Sequence, residues 1–295
     1  MKVLQIGAYI PENILTNEML SERFNVSTEW IYKRTNIKKR FLSNTSILDM
    51  GIKASKNLDL NGVDAVLFAS SIGPHYVPNY VSAFKALNIK TAKYGIDISN
   101  GFVGFITAVH TAEIMMKEKL AKRVLIIISE KLSDLTDKND INTAILFSDA
   151  AIAMVVETEN YDYEHKTNYD YSLYPALNVN KDKKIEMNGK TVYRFAVKNM
   201  NEIIKKFLTS KTKLIVPHQA NGRILNSVSK QFSGVKFLNY IEETGNTGAA
   251  SIPLALYKYY GNKSFSLKNH ILVSVGGGMT ASGITWRCFN EDSNN

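Results

Sequence analysis

The sequence predicts an α/β fold, with helices covering sheets buried on both faces, and three observations carry that prediction. Continuous apolar, β-branched runs recur at 65–70, 124–129, 144–147 followed by 150–156, 214–216 and 271–275. Strands covered on both faces read this way, whereas half-exposed strands alternate. Between them, residues 80–87, 104–118, 199–208 and 221–232 carry helical patterning, and strand–helix alternation marks layered α/β architecture. At 295 residues the chain suits one large domain or two fused halves.

In chain order, residues 1–12 hold one lysine and a short apolar patch broken by Gly7, Pro11 and Glu12. That patch is not the h-region of a signal peptide. No apolar stretch approaches the length of a membrane span, 124–128 being typical, so a cytoplasmic protein without membrane insertion is expected. Residues 104–118 include Phe105, Ile106, Val109, Ile114, Met115 and Met116 and leave hardly any polar face. A helix this apolar belongs in the middle of the fold. Its N-terminal approach, 99–103, is where oriented backbone N–H groups can meet an anion. From 157 to 186 the composition turns to Tyr, Asn, Asp and Lys. The expected organisation is an N-terminal half over 1–160, a connector over 161–186 and a C-terminal half over 187–295.

A single cysteine, Cys288, excludes an internal disulfide framework, and no CxxC, HExxH or clustered ligand set supports a metal site. The formal charge of +9 favours acidic partners. Without a zinc finger, an RNP-type aromatic motif or a basic arm, nucleic acid is not expected.

Three polar features stand beside the core runs. His218 follows the run 214–216 and Pro217, at a strand's C-terminal end, where sites of open α/β sheets gather. Asn246 lies in a Gly-Asn-Thr turn before a helical run from Ser251. Gly276-Gly277-Gly278 follows the last strand and allows close backbone approach to a ligand or a tight turn. Singly, each has an ordinary structural explanation.

In this order and with these flanks they resemble the ketoacyl-ACP synthase III family of the thiolase superfamily. The resemblance runs from Ile6-Gly-Ala-Tyr-Ile-Pro11 through Ser27-Thr-Glu-Trp30-Ile, Arg34-Thr-Asn-Ile37-Lys-Lys-Arg40 and Leu146-Phe-Ser-Asp149. It ends with Val216-Pro-His218-Gln-Ala-Asn221, Gly245-Asn246-Thr-Gly-Ala-Ala-Ser-Ile-Pro253 and the glycine triplet. It implies a thiolase-like duplicated, five-layered αβαβα fold that dimerises. It also implies that His218 and Asn246 match the pair holding the malonyl thioester carbonyl, and that Phe102 stands at the nucleophilic cysteine's position, ahead of Val103-Gly104-Phe105. The backbone N–H groups of Phe102 and Gly277 would form a second oxyanion hole. A competing register, Ser99-Asn-Gly-Phe102, makes Ser99 the nucleophile but requires an insertion inside the apolar helix.

Other departures bear on the substrate. The family's arginine that stacks on the coenzyme A adenine aligns with Ile141, although Trp30 and Arg34 remain, so an acyl thioester on acyl carrier protein is expected rather than free coenzyme A. No cofactor is implied. Arg223, at the mouth of the family's site, and Lys230 two turns further along suit an acidic carrier protein.

A phenyl ring has no lone pair to attack a thioester, so covalent transfer through position 102 is excluded. Three functions follow. The leading one is a non-condensing partner subunit, in a heterodimer with an intact ketosynthase or as a homodimer. The second is a His218- and Asn246-dependent malonyl-thioester decarboxylase or direct acyltransferase. The third is condensation through Ser99.

Overall fold

The computed structural model describes residues 1–73 and 77–288. In chain order it begins with β1 (Lys2–Tyr9), β2 (Asn13–Thr16), α1 (Asn17–Phe24), α2 (Thr28–Thr35), β3 (Lys39–Leu42), α3 (Ile47–Ser55), β4 (Ala65–Ala69), α4 (Asn79–Ala86) and β5 (Tyr94–Ile98). There follow α5 (Gly104–Lys117), β6 (Arg123–Lys131), the one-turn helices α6 (Leu132–Leu135) and α7 (Ile141–Ala144), β7 (Asp149–Glu157), β8 (Asp162–Tyr169), and the small ribbon β9 (Leu177–Val179) with β10 (Ile185–Met187). The chain closes with α8 (Gly189–Phe207), β11 (Leu214–Pro217), α9 (Gly222–Ser229), β12 (Lys236–Phe237), α10 (Ile241–Thr244), α11 (Ser251–Tyr260), β13 (Phe265–Ser266), β14 (His270–Gly276) and β15 (Thr280–Arg287).

The two main sheets repeat one design. In the first, β5, β4 and β6 run parallel, and β7 then β1 follow antiparallel. In the second, β12, β11 and β14 run parallel, and β15 then β8 follow antiparallel. Helix α5 follows β5 in one repeat as α11 follows β12 in the other, and both lie between the sheets, α5 touching β4, β6, β14 and β15 and α11 touching β1, β7 and β11. Helices α3 and α4 cover the outer face of the first sheet, and α8, with α9 against it, covers the second. The result is the thiolase-like αβαβα order. Residues 161–186, expected as a connector, carry β8, the first strand of the second repeat, and the β9–β10 ribbon.

The all-apolar runs became the central strands: every residue of β4 and β11 is buried. Helix α5 buries most of its apolar side chains because it has a sheet on each side. Helix α8 begins ten residues before the predicted start, because Asn188 caps it, its Oδ1 accepting the Thr191 N–H at 3.1 Å.

The strand expected at 144–147 is corrected: α7 ends at Ala144, the chain turns through Ile145 and Leu146, and Phe147 keeps only an isolated bridge to Asn246. The reason is Arg40, fully buried, whose Nε and Nη2 donate to the Ile145 carbonyl at 3.0 and 2.6 Å while Nη1 donates to Asn17 Oδ1 at 2.6 Å. A carbonyl captured by a guanidinium is not available to a ladder. The apolar character of these residues reflects burial in a turn, which periodicity does not distinguish from a strand. Among the described residues no helix is long and apolar enough to cross a membrane.

Candidate active site

The duplication brings two equivalent junctions face to face. In the first repeat the β5–α5 junction carries Phe102 on a one-turn 3-10 helix; in the second, the segment entering α11 carries Asn246 just before the 3-10 turn Gly248–Ala250. His218 leaves the end of β11, and Gly276 ends β14. Phe102, His218, Asn246 and Gly276 all line one cavity of about 550 Å³, within the usual range for small-molecule sites.

His218 is almost wholly buried, and its Nδ1 lies 2.6 Å from Ser251 Oγ. Ser251 Oγ also accepts the Gln219 N–H at 3.1 Å. With the Ser251 hydroxyl assigned as donor to Nδ1, the neutral ring is the Nε2–H tautomer, a hydrogen-bond donor. Burial pushes the imidazole down to about 3, and a hydrogen bond to the Gly248 backbone acts in the opposite sense. The ring is therefore uncharged at neutral pH.

Asn246 is fixed at both ends of its amide. Its Oδ1 accepts the Gly248 N–H at 3.0 Å, and one Nδ2 hydrogen goes to the Ala220 carbonyl at 3.1 Å. The second Nδ2 hydrogen is left for a ligand. The Asn246 backbone is tied to its neighbours as well: its N–H donates to the Leu146 carbonyl at 3.0 Å, and its carbonyl accepts the Ser148 N–H at 2.9 Å.

The Phe102 ring lies against both His218, at 5.5 Å between centroids, and Phe147, at 5.9 Å. Its carbonyl accepts the Ser274 hydroxyl at 2.7 Å. The glycine triplet presses on this junction: a Cβ on Gly276 would stand 3.0 Å from the Phe102 backbone nitrogen and 3.1 Å from the Phe102 Cβ, a tight approach that favours glycine. The Gly277 nitrogen lies near Gly101 rather than on the cavity wall, 3.8 Å from where a Cβ on Gly101 would stand.

At the mouth, the Arg34 guanidinium lies 4.1 Å over the Trp30 ring, a cation–π contact that occupies one face of the indole. Arg34, Arg223 and Lys190 line the cavity; Trp30 and Lys230 do not, and Lys230 is exposed beyond the end of α9. Ile141 opens α7. Ser99 is exposed on the loop after β5 and is absent from the cavity lining, and the half-buried Cys288 follows β15.

Three contributors escape sequence reading. Ser251 orients His218 across 33 positions of sequence. Glu130, fully buried at the end of β6, accepts the Ser71 N–H and hydroxyl and the Ala249 N–H at 3.3 Å. Burial raises its carboxyl to about 8, so it is largely protonated at neutral pH. It backs the active junction: a Cβ on Gly248 would meet Glu130 Cδ at 3.3 Å and Phe102 Cδ1 at 3.2 Å. Phe147 walls the cavity beside Phe102. Ser251 and Phe147 stand inside motifs that assign them no role, and Glu130 carries no local signal, because each acts through a partner distant in sequence.

Five layers and a buried histidine–asparagine pair facing a helix-opening junction define a thiolase-like protein. Residues 96–173 match the family model of 3-oxoacyl-[acyl-carrier-protein (ACP)] synthase III, and residues 205–288 match its C-terminal counterpart. The β-ketoacyl-[acyl-carrier-protein] synthase III of Acholeplasma laidlawii is 36% identical over 95% of this chain and 96% of its own length. That of Aquifex aeolicus is 33% identical over 97% of each. The crystal structure of 3-oxoacyl-[acyl-carrier-protein] synthase III from Aquifex aeolicus superimposes with a TM-score of 0.88 at 31% identity, covering 97% of this chain and 99% of that one. The structure from Thermus thermophilus gives a TM-score of 0.86 at 30% identity over 97% and 98%. The chain belongs to the 3-oxoacyl-[acyl-carrier-protein] synthase III family.

Proposed function

We propose that this protein binds malonyl thioesters of acyl carrier protein and decarboxylates them without forming an acyl-enzyme. The carbon–carbon bond to the carboxylate breaks, carbon dioxide leaves, and the electron pair passes into an enolate whose oxygen accepts from His218 Nε2–H and Asn246 Nδ2–H. Water then protonates the α-carbon to give the acetyl thioester. The observation that carries this reading is that both donors line one cavity while their remaining polar atoms are held by Ser251, Gly248 and Ala220. Donors fixed in advance cost no reorganisation when charge develops. Phe102 closes the covalent route, and Arg34, Lys190 and Arg223 at the mouth suit an acidic carrier.

Intact mass spectrometry of malonyl-loaded carrier protein with the purified chain tests this. Wild type should convert malonyl to acetyl carrier, and His218→Ala or Asn246→Ala should slow conversion by on the order of 10²- to 10³-fold. Equal conversion by wild type and His218→Ala would defeat the reading.

A second reading, the non-condensing partner of an intact ketosynthase, is favoured by the edge strand β5, where Tyr94 and Ile96 are 39% and 38% exposed. Apolar side chains on an unpaired edge invite another chain. No decarboxylation together with preferential pairing to an active homologue would move the assignment there. Acyl adduct on the wild-type chain would instead revive Ser99.

A further inference from the structure

A second cavity, of about 410 Å³, lies behind the first, and Phe147 is a wall of both. Its apolar floor is Leu15, Ala144 and Phe147, all buried, with the half-buried Leu42. Three cations line it, Arg23, Lys131 and Lys138, against one carboxylate, Asp134. Lys131 is already paired with Asp134 at 3.2 Å. Arg23 and Lys138 are exposed, and among the described residues neither has a carboxylate partner. A further carboxylate, Asp149, stands behind the wall, but it is committed: it accepts the Ser43 N–H and both the N–H and hydroxyl of Ser133. Uncommitted positive charge therefore sits at the solvent side and apolar surface at the floor.

We propose that this cavity is a binding site for a small amphiphilic anion, with a carboxylate or phosphate head at Arg23 and Lys138 and a short alkyl stem against Leu15, Leu42 and Phe147. Charge-assisted contacts hold the head, and burial of the stem supplies the rest. Nothing in the decarboxylation proposed above uses this site.

Calorimetric titration of the full-length protein with sodium octanoate, octyl phosphate, inorganic phosphate and octanol tests it. Saturable binding of octanoate or octyl phosphate is expected, whichever head is preferred, with octanol and inorganic phosphate at least about tenfold weaker. The Arg23→Ala/Lys138→Ala double variant should weaken the octyl anion about tenfold or more at unchanged melting temperature, while Arg34→Ala/Arg223→Ala should not. The proposal is overturned if neither octyl anion saturates, if octanol binds equally well, or if binding survives the first double variant. Loss in the second double variant alone would place the anion in the first cavity and overturn it as well.

Discussion

Phe102 packs against His218 and Phe147 at the junction that opens α5. Replacing it with cysteine removes a ring in contact with His218 and Phe147, at a cost of about 3 kcal/mol in stability. It also puts a thiol, nucleophilic once ionised, at the junction that opens α5. Phe102→Cys should therefore take an acyl adduct from acyl carrier protein, visible as a mass increment that wild type lacks. Ser251→Ala leaves Nδ1 and the Gln219 N–H without their partner, costing about 1–3 kcal/mol. Its decarboxylation rate should fall about tenfold or more, because the Nε2–H tautomer loses its anchor. The sequence made His218, Asn246 and Phe102 legible, since motifs hold each of them. Ser251 was legible only as part of a motif, because its work depends on an approach made in three dimensions.

Elements bring the mouth together. Helix α2 is capped at its C-terminus by Asn36, φ 54°, and a Cβ on Gly222 at the start of α9 would fall 2.2 Å from the Asn36 Cβ. Glycine there lets the helices touch, and Asn221 Nδ2 bridges them by donating to the Arg34 carbonyl at 3.1 Å. This contact joins the helices that carry Arg34 and Arg223, both of which line the cavity. Gly222→Ala should destabilise the fold by about 1–3 kcal/mol and weaken carrier affinity more than turnover at saturation, a split that steady-state kinetics resolves. The central strands and α5 were readable because burial on both faces requires continuous apolar sequence. Residues 144–147 met the same requirement inside a turn, where Arg40 decides the backbone, and β8 stayed hidden because its burial is only partial.

At the scale of the whole molecule, buried titratable groups set opposing pH limits. Between about 6.5 and 3 the unfolded chain binds a proton at His218 that the folded chain refuses, so stability falls as pH drops through that window. His165, lowered to about 4 by burial and by His110 stacked 4.1 Å away, adds to the same fall. Glu130 works in the other direction: between about 4.5 and 8 the folded chain keeps a proton that the unfolded chain has lost, so stability falls as pH rises. Denaturant melts across pH should show Glu130→Gln losing that alkaline decline. The duplication behind this architecture leaves no repeat in the sequence, because the two sheets share a pattern of burial and not of residues.

The two tryptophans of the chain sit in opposite surroundings. Trp286 is fully buried, its indole N–H donating to Glu113, whereas Trp30 is half-buried beneath Arg34 at the cavity mouth. Emission from Trp286 should be blue-shifted and indifferent to what approaches from solution, while Trp30 should respond when the guanidinium above it moves. With Trp286→Phe the chain becomes a single-tryptophan sensor, reporting carrier arrival optically whether or not any bond is then broken.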